Sequence, residues 1–214
     1  MKIRAHDKSR RSFIGQVAGI GAAAVIGYPE IASAAEWDVS WLDKVRAAKH
    51  RALLDAPMPG NILDLATRYY NNLQTAYGRS AGSVCMVLNF RTRSTYMGVA
   101  DPMWQKYPLG EDAKVTDPDT NAPARRNVDL RVSDEKAALG YGSIERLQKV
   151  GAIILVCDFA LGHLANRLAK ATGGTEEAVH AELRSNLVPG AILVPSGIFS
   201  AGEAQNAGCA FIPA

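Results

Sequence analysis

Cys157 is the residue whose type and place could do chemistry in this chain. It closes an apolar run, GAIILV, and is followed by Asp158 and then by apolar residues at helical spacing: Phe159, Leu161, Leu164 and Leu168. A short Ile/Leu/Val run leading into that period predicts a buried parallel strand feeding a helix. The thiol then sits at the carboxyl end of a strand, where open α/β sheets bind ligands. It also sits at a helix N-terminus, where the helix dipole favours a thiolate, the nucleophilic form, over a thiol. Asp158 acts in the opposite direction, because a neighbouring carboxylate disfavours a second negative charge. Residue type leaves two readings open here, a reactive thiol or a small apolar filler.

The remaining chemistry-bearing residues narrow the field. Three cysteines, Cys85, Cys157 and Cys209, are widely spaced, with no C-x-x-C, no C-x-x-C-H and no pair of histidines at metal-ligand spacing. That pattern argues against a zinc site, a c-type haem and a disulfide scaffold, and no cofactor or metal is implied. One disulfide with one free thiol stays open, and sequence does not choose the pair. Cys85 lies inside the apolar run SVCMVLNF and reads as an inert core thiol. His163 is six residues past Cys157, which puts it off the cysteine's face of the helix, and it reads with His50 and His180 as a surface or packing residue. No Ser-His-Asp or Cys-His-Asn arrangement can be read from the spacing.

Several polar residues fall where a ligand would meet strand ends. Asn89 and Arg91, with Arg93 beyond, end the run at Phe90; two arginines there meet an anion or stay solvated. Ser196 and Gly197 end a third apolar strand. Arg126 and Asn127 sit in the middle of a long segment, 98–143, near Asp117 and Asp119. Local ion pairing is the favoured reading of that arginine, and an anion- or amide-binding lid is the sharper one. With Cys157 and Asp158, these residues would form a cleft covered by the 98–143 segment.

The elements that must position them follow from period and punctuation. Strands are expected at 50–55, 83–90, 151–157, 191–194 and 208–212. Helices are expected at 61–77 with Asn61 as N-cap, at 143–150 capped by Ser143, at 158–171 stopped by Gly173-Gly174, at 175–187, and at 198–206. A short helix over 36–45 would carry Trp37, Trp41, Leu42 and Val45, although a terminal arm covering apolar surface is the favoured reading there. The 98–143 segment shows no sustained period beyond a short turn at 102–107. Its length marks it as functional or an insertion, and Met103, Trp104 and Tyr107 imply that it packs on the body. Strands alternating with helices give an α/β class, a three-layer fold with a mainly parallel sheet.

The N-terminus reads as an address. Arg10-Arg11 precede an apolar stretch diluted by Gly and Ala, and Ala32-Ser33-Ala34 forms a small-residue cleavage site. This is the layout of a twin-arginine export signal over 1–34, implying passage through the Tat translocon to the periplasm and a mature domain of 35–214. The apolar core is too short for a membrane span, which takes about 20 residues. The signal's five basic and two acidic residues carry a net +3, and the whole chain is also +3, so the mature part is near neutral. No basic stripe interleaved with aromatics appears, which speaks against nucleic acid.

The order of parts along 48–214 resembles the DsrE/DsrF-like superfamily. The resemblance is carried by LQKVGAIILVC, by LVPGAILVPSGIFSAGEAQNAGCAFI, and by MWQKYPLGED with DPDTNAPARRN, which is similar to the long insert of an exported branch; HRALLDAP fits at the front. It implies a flavodoxin-like, DsrE-like fold and homo-oligomers. It also implies a persulfide carried on a cysteine placed like Cys157, with a small sulfur compound as partner. The chain departs from the sulfur-relay members in its export signal, its insert and the lack of a second cysteine arranged to resolve a persulfide. A non-catalytic periplasmic small-molecule-binding protein and an oligomeric structural subunit are the alternatives.

Overall fold

Five short apolar runs become the strands of one sheet. The structure is a computed structural model that describes residues 37–78 and 84–214. The expected export signal at 1–34 and the start of the expected second strand at Ser83 lie outside the described residues. In chain order the elements are α1 (Trp41–Ala47), β1 (His50–Ala56), α2 (Ile62–Tyr77) and β2 (Val84–Phe90), then α3 (Asp101–Lys106), α4 (Leu109–Ala113), α5 (Asp134–Ala138) and α6 (Ile144–Lys149). They continue with β3 (Ile153–Cys157), α7 (Asp158–Thr172), α8 (Glu176–Ser185), β4 (Ile192–Val194), α9 (Gly197–Asn206) and β5 (Ala210–Pro213).

All pairings are parallel and the strand order is β4-β3-β2-β1-β5. Parallel strands need long crossovers, and the crossover helices cover both faces, so the strands read as continuous apolar runs. Every residue of β2 and β3 is buried. Alternation divides them between two cores. Leu53, Val87 and Leu155 join Trp41, Leu42, Val45 and Ala204 under α1 and α9. Leu54, Leu88 and Ile154 join Ile62, Leu63, Leu147, Leu161 and Leu164 under α2, α6 and α7. Helices on both sides of a parallel sheet make this a three-layer α/β fold of the flavodoxin-like kind.

Local chemistry sets most helix ends. The hydroxyls of Ser143, Thr175 and Ser196 accept from the N–H groups of Arg146, Ala178 and Phe199 at 3.4, 3.3 and 3.1 Å. Gly78 and Gly173 end α2 and α7 in the left-handed region that glycine enters without steric cost. Asn61 occupies the N-cap position of α2 but its side chain makes no capping bond, contrary to expectation. At the front, α1 begins at Trp41. Trp37 lies before the helix, with the Arg184 guanidinium 5.7 Å from its ring centre. Among the described residues no helix is long and apolar enough to cross a membrane.

The 98–143 segment carries more regular structure than its sequence period implied. A 3-10 turn at Ser94–Gly98 leads into it, and α3, α4 and α5 lie within it. Trp104 is fully buried; its Nε1–H donates to Val99 O at 3.0 Å and its ring meets Tyr96 edge-on at 5.6 Å. These helices are five or six residues long, too short to display a period; buried Met103, Trp104 and Leu109 hold α3 and α4, while α5 buries no residue and is capped by Ser133.

Candidate functional site

Adjacent strands β3 and β4 send their following helices to opposite faces of the sheet, α7 to one and α9 to the other. Such a divergence opens a crevice outside the carboxyl ends of the strands. A cavity of about 560 Å³ lies there. The turn after β2 contributes Arg91, Thr92 and Arg93, β3 contributes Cys157, and the head of α9 contributes Ser196, Gly197 and Ile198. From α7 come Phe159, Ala160, His163, Asn166 and Arg167.

Cys157 is the N-cap of α7. Its Sγ accepts from the Ala160 N–H at 3.3 Å, and the residue is 4% exposed while lining the cavity. That bond satisfies one of the free N–H groups in the first turn of α7. Asp158, expected to oppose a negative charge on the sulfur, is turned to the next helix. Its Oδ1 lies 2.9 Å from His180 Nε2 and 3.4 Å from Arg184 Nε, so cationic or neutral partners on α8 receive the carboxylate. Asp158 is not part of the cavity wall.

A buried polar network supports the floor of the cleft. Asp55 ends β1 on the α9 face and receives Arg91 in a forked pair, Nε to Oδ1 at 2.8 Å and Nη2 to Oδ2 at 2.6 Å. Asn89 Nδ2 donates to Asp55 Oδ1 at 2.8 Å and to Gly197 O at 2.9 Å, and the Ser200 hydroxyl donates to Asn89 Oδ1 at 2.9 Å. Two strand ends and the first turn of α9 are thereby tied together. The carboxylate raises the Arg91 guanidinium above its ordinary value, chiefly through the hydrogen bond, and proximity to Cys157 adds to the effect. Gly197 is required by the same contact: a Cβ there would stand 2.4 Å from the Arg91 Cβ.

Several expected site residues are placed elsewhere or play another part. Asn89 is fully buried beneath the cleft and organises its floor without lining it. Arg126 pairs with Asp117 at 2.7 Å and Asp119 at 2.6 Å inside its own loop, the local ion pairing that its spacing favoured. Asn127 is 3% exposed and its Nδ2 donates to Met97 O and Val99 O at 2.7 and 2.9 Å, bracing the insert. No residue of 98–143 lines the cavity, so the expected lid is replaced by a brace: Asp112 holds Arg167 from behind, Nη2 to Oδ2 at 2.7 Å.

His163 is exposed and packs on Phe159, in keeping with the sequence reading, yet it shares the cavity wall with Cys157, which that reading did not expect. A cap residue lies outside the helical face, so counting from Cys157 misplaced it. Counting from Phe159 puts His163, Asn166 and Arg167 at steps of four, seven and eight, one helical stripe, and this stripe is the cavity wall. The Phe159 and His163 rings meet edge-on at 4.8 Å. Asp55, Ser200 and Ile198 were missed because nothing local marks them. Burial raises the other two thiols, Cys85 and Cys209, to about 11, which keeps them protonated. Among the described residues no three His, Cys, Asp or Glu side chains gather as a metal cage.

Comparison with protein-family models finds no match, and comparison with curated proteins finds none either, so the functional reading rests on the site itself.

Proposed function

We propose that the chain is an exported, DsrE-like sulfur-carrying protein in which Cys157 takes up sulfane sulfur as a persulfide. The reading is carried by one observation: the Cys157 sulfur caps α7 and lines a cavity instead of being sealed in the core. The Cys157 thiolate attacks the outer sulfur of a protonated persulfide donor R–S–SH. A new S–S bond forms at Cys157, the donor's S–S bond breaks, its electron pair leaves as R–S⁻, and the outer proton stays on the transferred sulfur. The transfer is a thiol exchange with no net oxidation, and the proton that Cys157 gave up on ionising is taken by R–S⁻. Export through the twin-arginine route, a periplasmic location and assembly with further copies of the same chain complete the proposal.

Incubating the protein with a small persulfide donor and weighing it intact tests this. The expected result is a gain of one sulfur atom, removed by reductant and absent in Cys157→Ala. No added sulfur, or a Cys157 that alkylates only after denaturation, overturns it. A second reading, non-catalytic binding of a small molecule, is favoured by the size of the cavity, far larger than one sulfur atom requires. Ligand affinity unchanged in Cys157→Ala, together with no sulfur uptake, decides for it.

A further inference from the structure

We infer that the cleft binds a small organic anion, a carboxylate or sulfonate with an aromatic or branched apolar body. The inference goes beyond the sulfur chemistry proposed above and rests on the cavity wall, not on the reactivity of the thiol.

The charge on the wall is one-sided. Arg91, Arg93 and Arg167 line the cavity, and neither an Asp nor a Glu does. Asp55 and Asp112, which pair with Arg91 and Arg167, stand outside the wall. They orient those guanidinium groups while Asp55 leaves Arg91 Nη1 uncommitted among the described hydrogen bonds. Arg93 has neither an ion pair nor a side-chain hydrogen bond among the described residues, and it is exposed. The chain reaches Arg93 through Thr92, a β-branched residue at φ 56°, in the left-handed region that such residues rarely adopt. Strain of that kind is held where the surroundings over-determine the backbone, and functional sites are where it gathers. Guanidinium groups match carboxylate and sulfonate oxygens through forked hydrogen bonds.

The apolar part of the wall points to the same ligand class independently of charge. Phe159 is 63% exposed and Ile198 is 79% exposed, both on the wall of the same cavity. Large apolar side chains held open beside a concave surface mark a binding site. His163 stands edge-on to the Phe159 ring at 4.8 Å and leaves the ring's exposed area facing the cavity. A cavity of about 560 Å³ suits an organic molecule of a dozen or more heavy atoms, and an inorganic anion would leave most of it empty.

Isothermal titration of the folded chain with four probes tests this: 2-naphthalenesulfonate, 2-naphthalenemethanol, 2-naphthylmethylamine and sodium sulfate. The sulfonate is expected to bind about tenfold more tightly than the alcohol, the amine or sulfate. Arg93→Gln and Phe159→Ala each weaken the sulfonate about tenfold. Arg131→Gln, a charge change outside the wall, leaves it unaltered. Equal affinity for the three naphthalenes removes the anion preference and overturns the inference. So does sulfate binding as tightly as the sulfonate, or insensitivity to Arg93→Gln in a folded variant. Absence of binding by all four probes overturns it as well, with a patch covered by a second copy as the cause where the protein sediments as an oligomer. Sulfonate binding without sulfur uptake sinks only the persulfide reading, and uptake without sulfonate binding sinks only this one.

Discussion

Replacing Arg91 with Met keeps an apolar stem beside Gly197 and removes the guanidinium from Asp55. The Asp55 side chain is 5% exposed, and without Arg91 its carboxylate retains one neutral donor, Asn89 Nδ2 at 2.8 Å. Breaking a buried ion pair from one side typically costs about 3–5 kcal/mol, because the remaining charge is left desolvated. The Arg91 side chain is 27% exposed, so water reaches part of the pair and the lower end, about 3 kcal/mol, applies. In a domain of this size that corresponds to a fall in Tm of roughly 6–12 °C. Adding Asp55→Asn removes the stranded charge. The double variant should therefore regain about 2 kcal/mol over additivity, the signature of residues in direct contact. Urea unfolding followed by circular dichroism measures all four corners of the cycle. A loss under about 1 kcal/mol in Arg91→Met, or strictly additive single changes, would refute the claim that this pair supports the cleft floor.

Gly197→Ala places a methyl 2.4 Å from Arg91 Cβ and should cost about 1–3 kcal/mol in the same assay, with loss of naphthalenesulfonate binding. Asp129 is raised to about 6, first by burial and then by Asp64. Its folded value lies above its unfolded one, so its contribution to stability is fully present below about pH 4 and is lost as pH rises through about 6. Asp129→Asn should thus stabilise the protein by about 2 kcal/mol at pH 7, with the gain vanishing at pH 4; a pH series of urea midpoints reads this. Cys85 and Cys209, raised to about 11 by burial, should stay unlabelled by iodoacetamide in the native protein at pH 8 and react after unfolding. By the same sign rule both contribute stability below pH 9 that is lost between pH 9 and 11, visible as a fall in Tm that Cys85→Ala lessens.

Much of the framework was legible because it depends on near neighbours in the chain. The runs at 84–90 and 153–157 read as buried strands because both sheet faces are covered, and Ser143 and Thr175 read as helix starts because a hydroxyl reaches an N–H three residues on, whereas Ser196 read as a strand end and proves to cap α9. The position of Cys157 at a strand-to-helix junction was readable for the same reason. Asn61 shows the limit: the helix begins beside it, yet its side chain makes no cap. The insert helix at 101–106 was legible only as a short turn, since contacts such as Trp104 with Val99 hold it, and those at 109–113 and 134–138 are too short to show a period of their own.

The sequence by itself determined the class of fold, the strand that carries the thiol and the cleft end of the sheet, because period, capping and turn chemistry act over a few residues. Tertiary structure alone decided which side chains share that cleft. It brought Asp55, Asn89, Arg91 and Ser200 into one network from three separate stretches, turned Asp158 away to His180, and set Phe159, His163 and Arg167 along the wall. It also took Asn127 out of the site by giving it Met97 O and Val99 O as partners. Those outcomes depend on strand order and on which face each crossover helix covers, and side-chain spacing along one chain does not encode either.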